Sequence, residues 1–563
     1  MSAGTAPAVP QLALASARGR WLLVVAVLGS ALAQLEATVV NVALPSIGAD
    51  LDAGVSGLQW VLNAYLLALA SLVLLGGAVG DRFGRRRTFV AGALLFCLAS
   101  TGCALAPTLP LLVVARAVQG VGAALLVPGS LAVLESMLRP ADRARAIGSW
   151  SALGGIAGAV GPLLGGLLVE SSWRAVFLLP VPLGLLAAAA AVRHLPEPRP
   201  APRPPTGAGD PRAQRERAPL DAAGAVLTVL ALGGLTYALV RATTGPWGLV
   251  AAALAVGVSA ALALVLVERR HPEPLVPPAV LASSRFVVAN AVTFAVYAGL
   301  GGVFFLLVVQ LQNGLGYSPL QAGAATVPMT LVLLLLSSRA GRLAQRTGPR
   351  LPLTAGPVLM AAGMLLMRRI EPGASYLGDV LPAVLVVAVG LSATVAPVTA
   401  TALAAAPAAH AGAASGVSNA VARTAQLAAV SGLPLLVGLS GEDYTDPQAL
   451  SRGFAAAVLA CAVLALLGAG IAWTGLRSPD PAGGPSEQRP TGPAAALHPM
   501  CCPVDAPPPR VRIDSRDGRP LAAGARTAER SDPRTRRAGR VSGASASGDP
   551  HRPLGGALED GRP

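Results

Sequence analysis

A chain of 563 residues with 53% hydrophobic and 13% charged residues is too apolar for a soluble protein, whose charged fraction is near a quarter. The formal net charge is +15, but the arginines that carry it lie mainly in short loops and in the C-terminal segment. Membrane topology explains this distribution better than nucleic-acid binding does. We therefore predict a protein embedded in the lipid bilayer that binds no nucleic acid.

The apolar runs predict an all-α membrane protein with fourteen transmembrane helices, arranged six, two and six. Each run is long enough to cross the roughly 30 Å hydrocarbon core as a helix. The runs of the first bundle lie near residues 21–44, 58–79, 88–106, 110–134, 146–169 and 175–193. The inserted pair lies near 221–241 and 246–267. The runs of the second bundle lie near 286–312, 319–338, 350–368, 379–405, 412–439 and 453–474.

Polar stretches divide these runs into domains. The stretch between the first bundle and the inserted pair is basic and Pro-rich, which predicts an extended linker. The C-terminal stretch is rich in Pro, Gly, Ser and Arg, so we predict a disordered tail. Binding of its arginines to anionic lipid headgroups is a functional alternative to a dispensable tail. The predicted segments are an N-terminus at 1–20, the first bundle at 21–193, the linker at 194–219, the inserted pair at 220–270, the second bundle at 286–474 and the tail at 475–563.

Arginines concentrate in the loops on one side of the predicted bundles. By the positive-inside rule this side is cytoplasmic, and both termini lie on it. The opposite loops are poor in Arg or acidic, with Arg368 and Arg369 as the main exception. We therefore predict a multi-pass protein of the cytoplasmic membrane with both termini in the cytoplasm.

The first predicted helix carries polar residues on two faces. Gln34, Thr38 and Asn41 share one face at a spacing of i, i+4 and i+7, whereas Glu36 points almost oppositely. The two faces cannot line one cavity equally. The candidate lining residues of a substrate cavity are Gln34, Thr38, Asn41, Asn63, Tyr65 and Gln119.

A loop between the second and third predicted helices carries a spaced set of Gly, Asp and Arg. Gly77 lets helices approach closely, Asp81 can pair with Arg, and Gly84 permits a tight turn. A degenerate copy at 341–350, with Gln345 in place of the Asp, joins two runs of the second half and indicates a duplicated protein. We expect the copy to keep the shape without the charge. The residues of the intact loop are Gly77, Asp81, Arg82, Gly84, Arg85 and Arg86.

Two charged residues of the first half lie inside predicted spans. Glu36 is the only carboxylate well inside the membrane, and Arg116 lies in the fourth helix. If the first helix runs outward, Glu36 lies about 12 Å and Arg116 about 9 Å below the same surface. An apolar setting favours the protonated carboxyl and a nearby Arg the ionised one, so movement between the two could load and release a proton. A purely structural Glu36 pair and an Arg116 that reaches the outer interface remain alternatives.

The fifth predicted helix combines spaced glycines with an internal proline. Small residues on one face allow close helix packing, and Pro162 removes a backbone donor and bends the helix. Generic packing in a chain rich in Gly and Ala is the alternative. The residues concerned are Gly148, Gly161, Pro162, Gly165 and Gly166.

Taken together, these motifs resemble those of the major facilitator superfamily. The loop from Gly77 is similar to the family signature between the second and third helices, and the sequence around Arg116 is similar to the fourth-helix motif. The fifth-helix pattern resembles the motif of antiporters, with Ala157 where the family has Gly. The stretch from Glu36 to Pro45 is similar to the first helix of the fourteen-helix drug:proton antiporters, with Glu in place of Asp.

This resemblance implies a proton-coupled antiporter that exports hydrophobic drugs, antibiotics or secondary metabolites by alternating access. Glu36 would carry the proton with Arg116 as its tuning partner. The fifth-helix motif would form a hinge or seal, and Asp81 with its arginines a conformational latch. The proton gradient would supply the energy, and no cofactor or metal is expected. Because no second acid lies inside the spans, we predict a neutral or monocationic substrate. We also expect a monomeric protein.

Two other function classes were weighed against export. A metabolite importer or facilitator would use the same fold, and the fifth-helix motif argues against it. The chain has no Ser/His/Asp, metal-binding or nucleotide-binding constellation, so we do not predict an enzyme.

Overall fold

The computed structural model describes residues 12–195, 221–242, 245–271, 274, 276–407, 410–439, 441–444 and 446–476. The first part of the predicted N-terminus, nearly all of the 194–219 linker and nearly all of the 475–563 tail lie outside these residues. Within them, the only β-structure is one isolated bridge between Leu12 and Leu138. The prediction of an all-α architecture is therefore confirmed for the described part.

Seven helices form the first bundle. Its sixth predicted span is interrupted at Leu179, because Pro180 has no N–H to continue the hydrogen-bond ladder. Pro45, Pro128 and Pro162 lie inside long helices of this bundle. The helices are α1 (Ala17–Asp50), α2 (Val55–Phe83), α3 (Arg85–Ala104), α4 (Leu109–Met137), α5 (Pro140–Ser171), α6 (Trp173–Leu178) and α7 (Pro180–His194).

The inserted pair and the second bundle follow. The pair consists of α8 (Ala222–Arg241) and α9 (Trp247–Arg270), and a short α10 (Pro278–Leu281) leads to the second bundle. The helices of this bundle are α11 (Ser284–Val309), α12 (Pro319–Thr347), α13 (Arg350–Leu366), α14 (Leu381–Ala405), α15 (Ala411–Leu436) and α16 (Pro447–Gly475). Short π-helical or 3₁₀ turns lie at Gln310–Gly314, Met367–Arg369, Tyr376–Val380 and Gly441–Tyr444.

Twelve helices of the described part are long and apolar enough to cross a membrane. The two predicted spans outside this set fall in α5 and α15. In α15, the polar residues Asn419, Arg423 and Gln426 lower the hydropathy of the segment. In α5, the described apolar segment Val160–Ser171 is shorter than the 18 residues that a span requires.

The two bundles pair reciprocally. The fifth helix of the first bundle, α5, packs against the second helix of the second bundle, α12, and α2 packs against α15 in the same way. The duplicated loop also repeats its backbone shape, because Gly84 (φ 101°) and Gly348 (φ 81°) both adopt the positive φ that glycine tolerates. Shape is thus common to the two halves, as the sequence predicts.

The bundles meet most closely at the end that carries the connection between α1 and α2, which we call the α1–α2 end. One apolar core there joins α1, α2 and α6 to α11, α14 and α16. A second core, toward the opposite α2–α3 end, draws almost all its residues from the first bundle. The two halves therefore share most of their common apolar interior at the α1–α2 end.

The inserted pair lies against the seam between the bundles. The rings of Trp60 on α2 and Tyr237 on α8 lie 6.2 Å apart, and a Cβ placed on Gly432 of α15 would lie 3.7 Å from Leu239 of α8. In α9, which packs closely on α8 at Gly234 and Gly257, most residues of the apolar segment are exposed. Helix α8 thus contacts both bundles.

Candidate functional site

A buried ion pair links α1 to α4 in the first bundle. Arg116 Nη1 donates a hydrogen bond of 2.5 Å to Glu36 Oε1, and the two side chains are 1% and 0% exposed. The prediction that the two residues lie at the same depth is confirmed by this contact. Arg116 does not reach the outer interface, because its whole side chain is enclosed.

Further groups of the first bundle surround the Arg116 guanidinium. Its Nε donates to the Val61 carbonyl oxygen at 2.9 Å, and Nη1 also donates to Gln119 Oε1 at 2.5 Å. The guanidinium carbon lies 4.5 Å from the centroid of the Tyr65 ring. Gln119 in turn donates to Ser100 Oγ at 2.6 Å, which fixes the orientation of its amide. These contacts replace water around the cation and hold it against α1.

The second carboxyl oxygen of Glu36 has no hydrogen-bond partner. Oε2 is buried and unsatisfied, whereas Oε1 accepts from Arg116. A buried acceptor without a donor is costly, and a proton on the carboxyl would lower that cost. The geometry therefore supplies an atom that can take a proton while Oε1 stays bonded to Arg116.

The opposite face of α1 is more open. Gln34 is exposed, and Thr38 and Asn41 are half-buried, so these three residues form an accessible polar face, which we call the Gln34 face. Thr38 and Asn41 donate to the backbone of their own helix, at Leu35 and Ala37. The structure therefore separates the two polar faces of α1, with Glu36 in the bundle interior and the Gln34 face outside it.

The other three candidate lining residues are enclosed in this conformation. Asn63, Tyr65 and Gln119 are at most 1% exposed. Tyr65 donates to the Ala33 carbonyl oxygen at 3.3 Å and covers Arg116, while Gln119 belongs to the Arg116 network. Asn63 donates to Ser431 Oγ of α15 at 3.0 Å, so it lies in the seam between the bundles. They do not line an open cavity here because all three side chains are enclosed, and Asn63 Oδ1 is buried without a hydrogen-bond partner.

A third charged side chain lies at mid-helix and was overlooked in the sequence. Arg423 on α15 is half-buried, and its Nη2 donates to Gln34 Oε1 of α1 at 2.5 Å. The contact joins the two bundles across the Gln34 face. Arg423 lies inside the predicted 412–439 span, so the reasoning that singled out Arg116 would have identified it too.

The fifth-helix glycines lie where α5 meets both α1 and α12. A Cβ on Gly161 would collide with Thr38 Oγ1, and a Cβ on Gly165 would lie 3.1 Å from Val39. On the other side, a Cβ on Gly166 would lie 2.6 Å from the Pro319 carbonyl oxygen. A Cβ on Gly323 of α12 would likewise collide with the Pro162 carbonyl oxygen. Gly148 lies in the same helix, on the side of the α2–α3 end.

The loop between α2 and α3 forms an internal ion pair. Arg85 donates to Asp81 Oδ1 through Nε at 3.1 Å and Nη2 at 3.0 Å, and Gly84 ends α2 at φ 101°. Arg82 stacks on the neighbouring Phe83 ring at 5.7 Å, and Arg86 is the second residue of α3. The expectation that Gly77 permits close helix packing is wrong for this conformation, because a Cβ there would meet only Pro128 Cβ at 3.6 Å.

Close packing at this level belongs to the neighbouring residue instead. A Cβ on Gly76 would collide with the Ala124 carbonyl oxygen, and one on Gly120 would lie 2.5 Å from the Tyr65 carbonyl oxygen. These two glycines bring α2 and α4 together. No group of three or more His, Cys, Asp or Glu side chains able to hold a metal ion occurs in the described residues.

Relatives of the chain share most of its length. It is 38% identical over 472 residues to the puromycin resistance protein pur8 of Streptomyces alboniger, covering 80% of this chain and 90% of that one. It is 35% identical to the cephamycin export protein CmcT of Amycolatopsis lactamdurans, covering 79% and 90%. It is 33% identical to the methylenomycin A resistance protein of Streptomyces coelicolor, covering 80% and 91%.

Solved structures share the fold. A xylose transporter of E. coli in a partially occluded inward-open conformation matches with a TM-score of 0.53 at 17% identity, covering 82% of this chain and 99% of that one. A proton-dependent oligopeptide transporter matches with a TM-score of 0.56 at 14% identity, covering 81% and 98%. The sequence model described as Major Facilitator Superfamily matches residues 26–430. The chain belongs to the major facilitator superfamily, with relatives that are antibiotic resistance and export proteins of its drug:proton antiporter type.

Proposed function

We propose that this protein exports small hydrophobic drugs, antibiotics or secondary metabolites across the cytoplasmic membrane in exchange for protons. The relatives named for resistance to puromycin and methylenomycin A, and for export of cephamycin, support the substrate class. The proton gradient supplies the energy, and the protein acts as a monomer. A metabolite importer of the same superfamily is the alternative that the test below excludes.

The Glu36–Arg116 pair is the observation that carries the proton-coupling proposal. It is a fully enclosed ion pair with one unsatisfied carboxyl oxygen, on the helix that also faces the second bundle through Gln34. Protonation of Glu36 removes the counter-charge of Arg116 and weakens the link between α1 and α4. Because Glu36 and Gln34 are two residues apart on opposite faces of α1, a shift of this helix acts on the proton site and on the bundle contact together.

The structure corresponds, in this proposal, to an inward-facing state. The positive-inside rule assigns the α1–α2 end to the outside, and the shared apolar core closes that end. Polar contacts reinforce the closure: Gln59 donates to the Val430 carbonyl oxygen at 2.7 Å, and Gln312 donates to that of Val42 at 3.0 Å. Substrate then enters from the cytoplasm, and rocking of the bundles opens the closed end.

Fourteen crossings complete the proposed topology, with both termini in the cytoplasm. Helix α5 has 32 residues and α15 has 26, so they extend about 48 Å and about 39 Å, which exceeds the roughly 30 Å core. Trp150 of α5 donates to Ser30 of α1, and Arg423 of α15 donates to Gln34 of α1, so these polar side chains are directed toward other helices. The α5 glycines act as the seal between the bundles, and Asp81 with Arg85 acts at the opposite end as the latch.

Everted membrane vesicles test the direction and energy source of transport. A panel of antibiotics and dyes that includes puromycin, methylenomycin A and a cephamycin is offered to vesicles whose interior is acidified. We expect at least one compound to accumulate inside, to dissipate the pH gradient as it enters, and to leave when an uncoupler is added. Accumulation driven instead by an alkaline interior, or insensitive to the uncoupler, contradicts proton-coupled export. Vesicles from cells without the protein are the control.

A further inference from the structure

The α15 helix carries a polar stripe from which Arg423 reaches the first bundle. Ser415, Asn419, Arg423 and Gln426 recur at intervals of four, four and three residues, so they share one side of the helix. All four are half-buried. Arg423 crosses to Gln34 of α1, so this stripe and the Gln34 face oppose each other between the bundles. Both sides of the central space are therefore polar at mid-helix.

Arg423 differs from Arg116 in its partners. Its Nη1 donates to Gln426 Oε1 at 3.1 Å and its Nη2 to Gln34 Oε1 at 2.5 Å. Both acceptors are neutral amides, and no carboxylate of the described residues lies within 4.0 Å of it. Arg116, by contrast, has Glu36 as a counter-charge. Arg423 is therefore a hydrogen-bonded cation whose charge is not neutralised.

The charges at mid-helix in the described part sum to a positive value. Glu36 and Arg116 cancel one another, which leaves Arg423 as one net positive charge beside the accessible Gln34 face. Protonation of Glu36 raises the net charge of these three side chains to +2. A charge at this depth is costly in lipid unless it faces a cavity or a partner, so uncompensated positive charge here points to a ligand that supplies the missing anion.

We propose that Arg423 is the anion-binding group of the substrate cavity, and that the preferred substrates carry a carboxylate on a hydrophobic body. This inference rests on the proposed export function and replaces the expectation of a monocationic substrate, which was drawn without Arg423. A carboxylate offers two oxygens to the planar guanidinium and displaces the Gln34 amide, a weaker acceptor. Binding then breaks the hydrogen bond between Arg423 and α1, so occupancy of the cavity is coupled to release of a contact between the bundles. A cationic substrate meets repulsion at the same point.

Matched fluorescent probes test this with the purified full-length protein. The probes are a diethylaminocoumarin carboxylate, its neutral methylamide, and an amide of the same dye that bears a trimethylammonium group. Binding is measured by fluorescence anisotropy, and export separately in proteoliposomes with a pH gradient. We expect the carboxylate to bind about ten-fold or more tightly than the trimethylammonium probe. We expect Arg423→Gln to abolish that preference with less than about two-fold effect on the neutral amide, and Arg423→Lys to retain most of it.

Arg174→Gln serves as the charge control, since Arg174 pairs with Asp50 at the α1–α2 end, away from Arg423. It should leave the binding preference unchanged. Equal or tighter binding of the trimethylammonium probe by the wild type overturns the proposal. The proposal is also overturned if the Arg423→Gln protein has a normal elution profile but loses binding of the carboxylate probe and of the neutral amide probe equally. If binding is selective but no probe is exported, the export function fails and the anion site stands.

Discussion

At the scale of single residues, Glu36 and Arg116 form a buried ion pair between α1 and α4. Two opposite charges in a water-free interior stabilise each other only while both are present and hydrogen-bonded. Arg116 has additional acceptors at Val61 and Gln119, whereas Glu36 has Arg116 alone. The carboxylate therefore depends on the guanidinium far more than the reverse, and removal of Arg116 should be the more damaging change.

A double-mutant cycle tests this dependence. Arg116→Met leaves an unpaired buried carboxylate and should lower the free energy of unfolding by about 3–5 kcal/mol. Glu36→Gln added to that variant removes the orphaned charge and should restore at least half of the loss. Thermal unfolding in detergent measures both, with Arg174→Met as the control, because its half-exposed pair with Asp50 is worth about 0–1 kcal/mol. Strictly additive losses would contradict a direct charge interaction.

At the scale of helices, α5 is the element on which both bundles converge. Gly161 and Gly165 allow it to approach α1, and Gly166 allows it to approach α12. The glycines that contact α1 and the glycine that contacts α12 lie within two turns of the same helix. A shift of α1 can therefore be transmitted through α5 to the second bundle. This arrangement gives the Gly and Pro motif a physical role as a tight, movable contact.

Enlarging Gly166 should therefore block transport more than it harms folding. Gly166→Leu forces α5 away from Pro319 and should reduce export by about ten-fold or more while costing about 1–3 kcal/mol of stability. Gly158→Leu is the matched control in the same helix, because a Cβ on Gly158 meets nothing within 4 Å. Export in vesicles and thermal unfolding are the measurements. Comparable export by the two variants would show that the α5–α12 contact is dispensable.

The loop between α2 and α3 yields a second comparison of glycines. Gly84 has φ 101°, so Gly84→Ala places a side chain in a strained backbone and should cost about 1–2 kcal/mol. Gly77→Ala meets only an ordinary contact with Pro128 and should be nearly neutral for stability. Thermal unfolding of the two variants side by side decides this. A greater loss for Gly77→Ala would contradict the packing described for this end.

The helices and the matching depth of Glu36 and Arg116 could be predicted from sequence because they depend on local information. Apolar length predicts a helix, and helix direction with a rise of 1.5 Å per residue predicts depth. The rotation of each helix depends on its neighbours, so the sequence did not show that Tyr65 and Gln119 are enclosed. The sequence also predicts close helix packing at Gly77, whereas the close contact with α4 lies at Gly76. Arg423 carried a readable signal, because an arginine inside an apolar span needs a cavity or a partner.

At the scale of the whole molecule, duplication has preserved shape while chemistry has diverged. In each half, the second helix packs on the fifth helix of the other half. The loop after each of these second helices turns at a glycine with positive φ. The first bundle holds the Glu36–Arg116 pair, and the second contributes Arg423, which contacts Gln34 of the first. Charged side chains at mid-helix therefore occur in both halves. One half carries the proposed proton site, and the contact between the halves carries the proposed substrate site.

The central claim, that Glu36 couples the proton to export, is tested most directly with Glu36→Gln in proteoliposomes. Gln keeps a hydrogen-bond acceptor for Arg116 and cannot exchange a proton, so the variant should fold normally. Two assays are compared on one preparation: export driven by a pH gradient, and exchange of labelled for unlabelled substrate without a gradient. The account predicts loss of gradient-driven export with exchange retained, while Glu170→Gln behaves as wild type. Full gradient-driven export by Glu36→Gln would contradict the claim and move the proton site elsewhere.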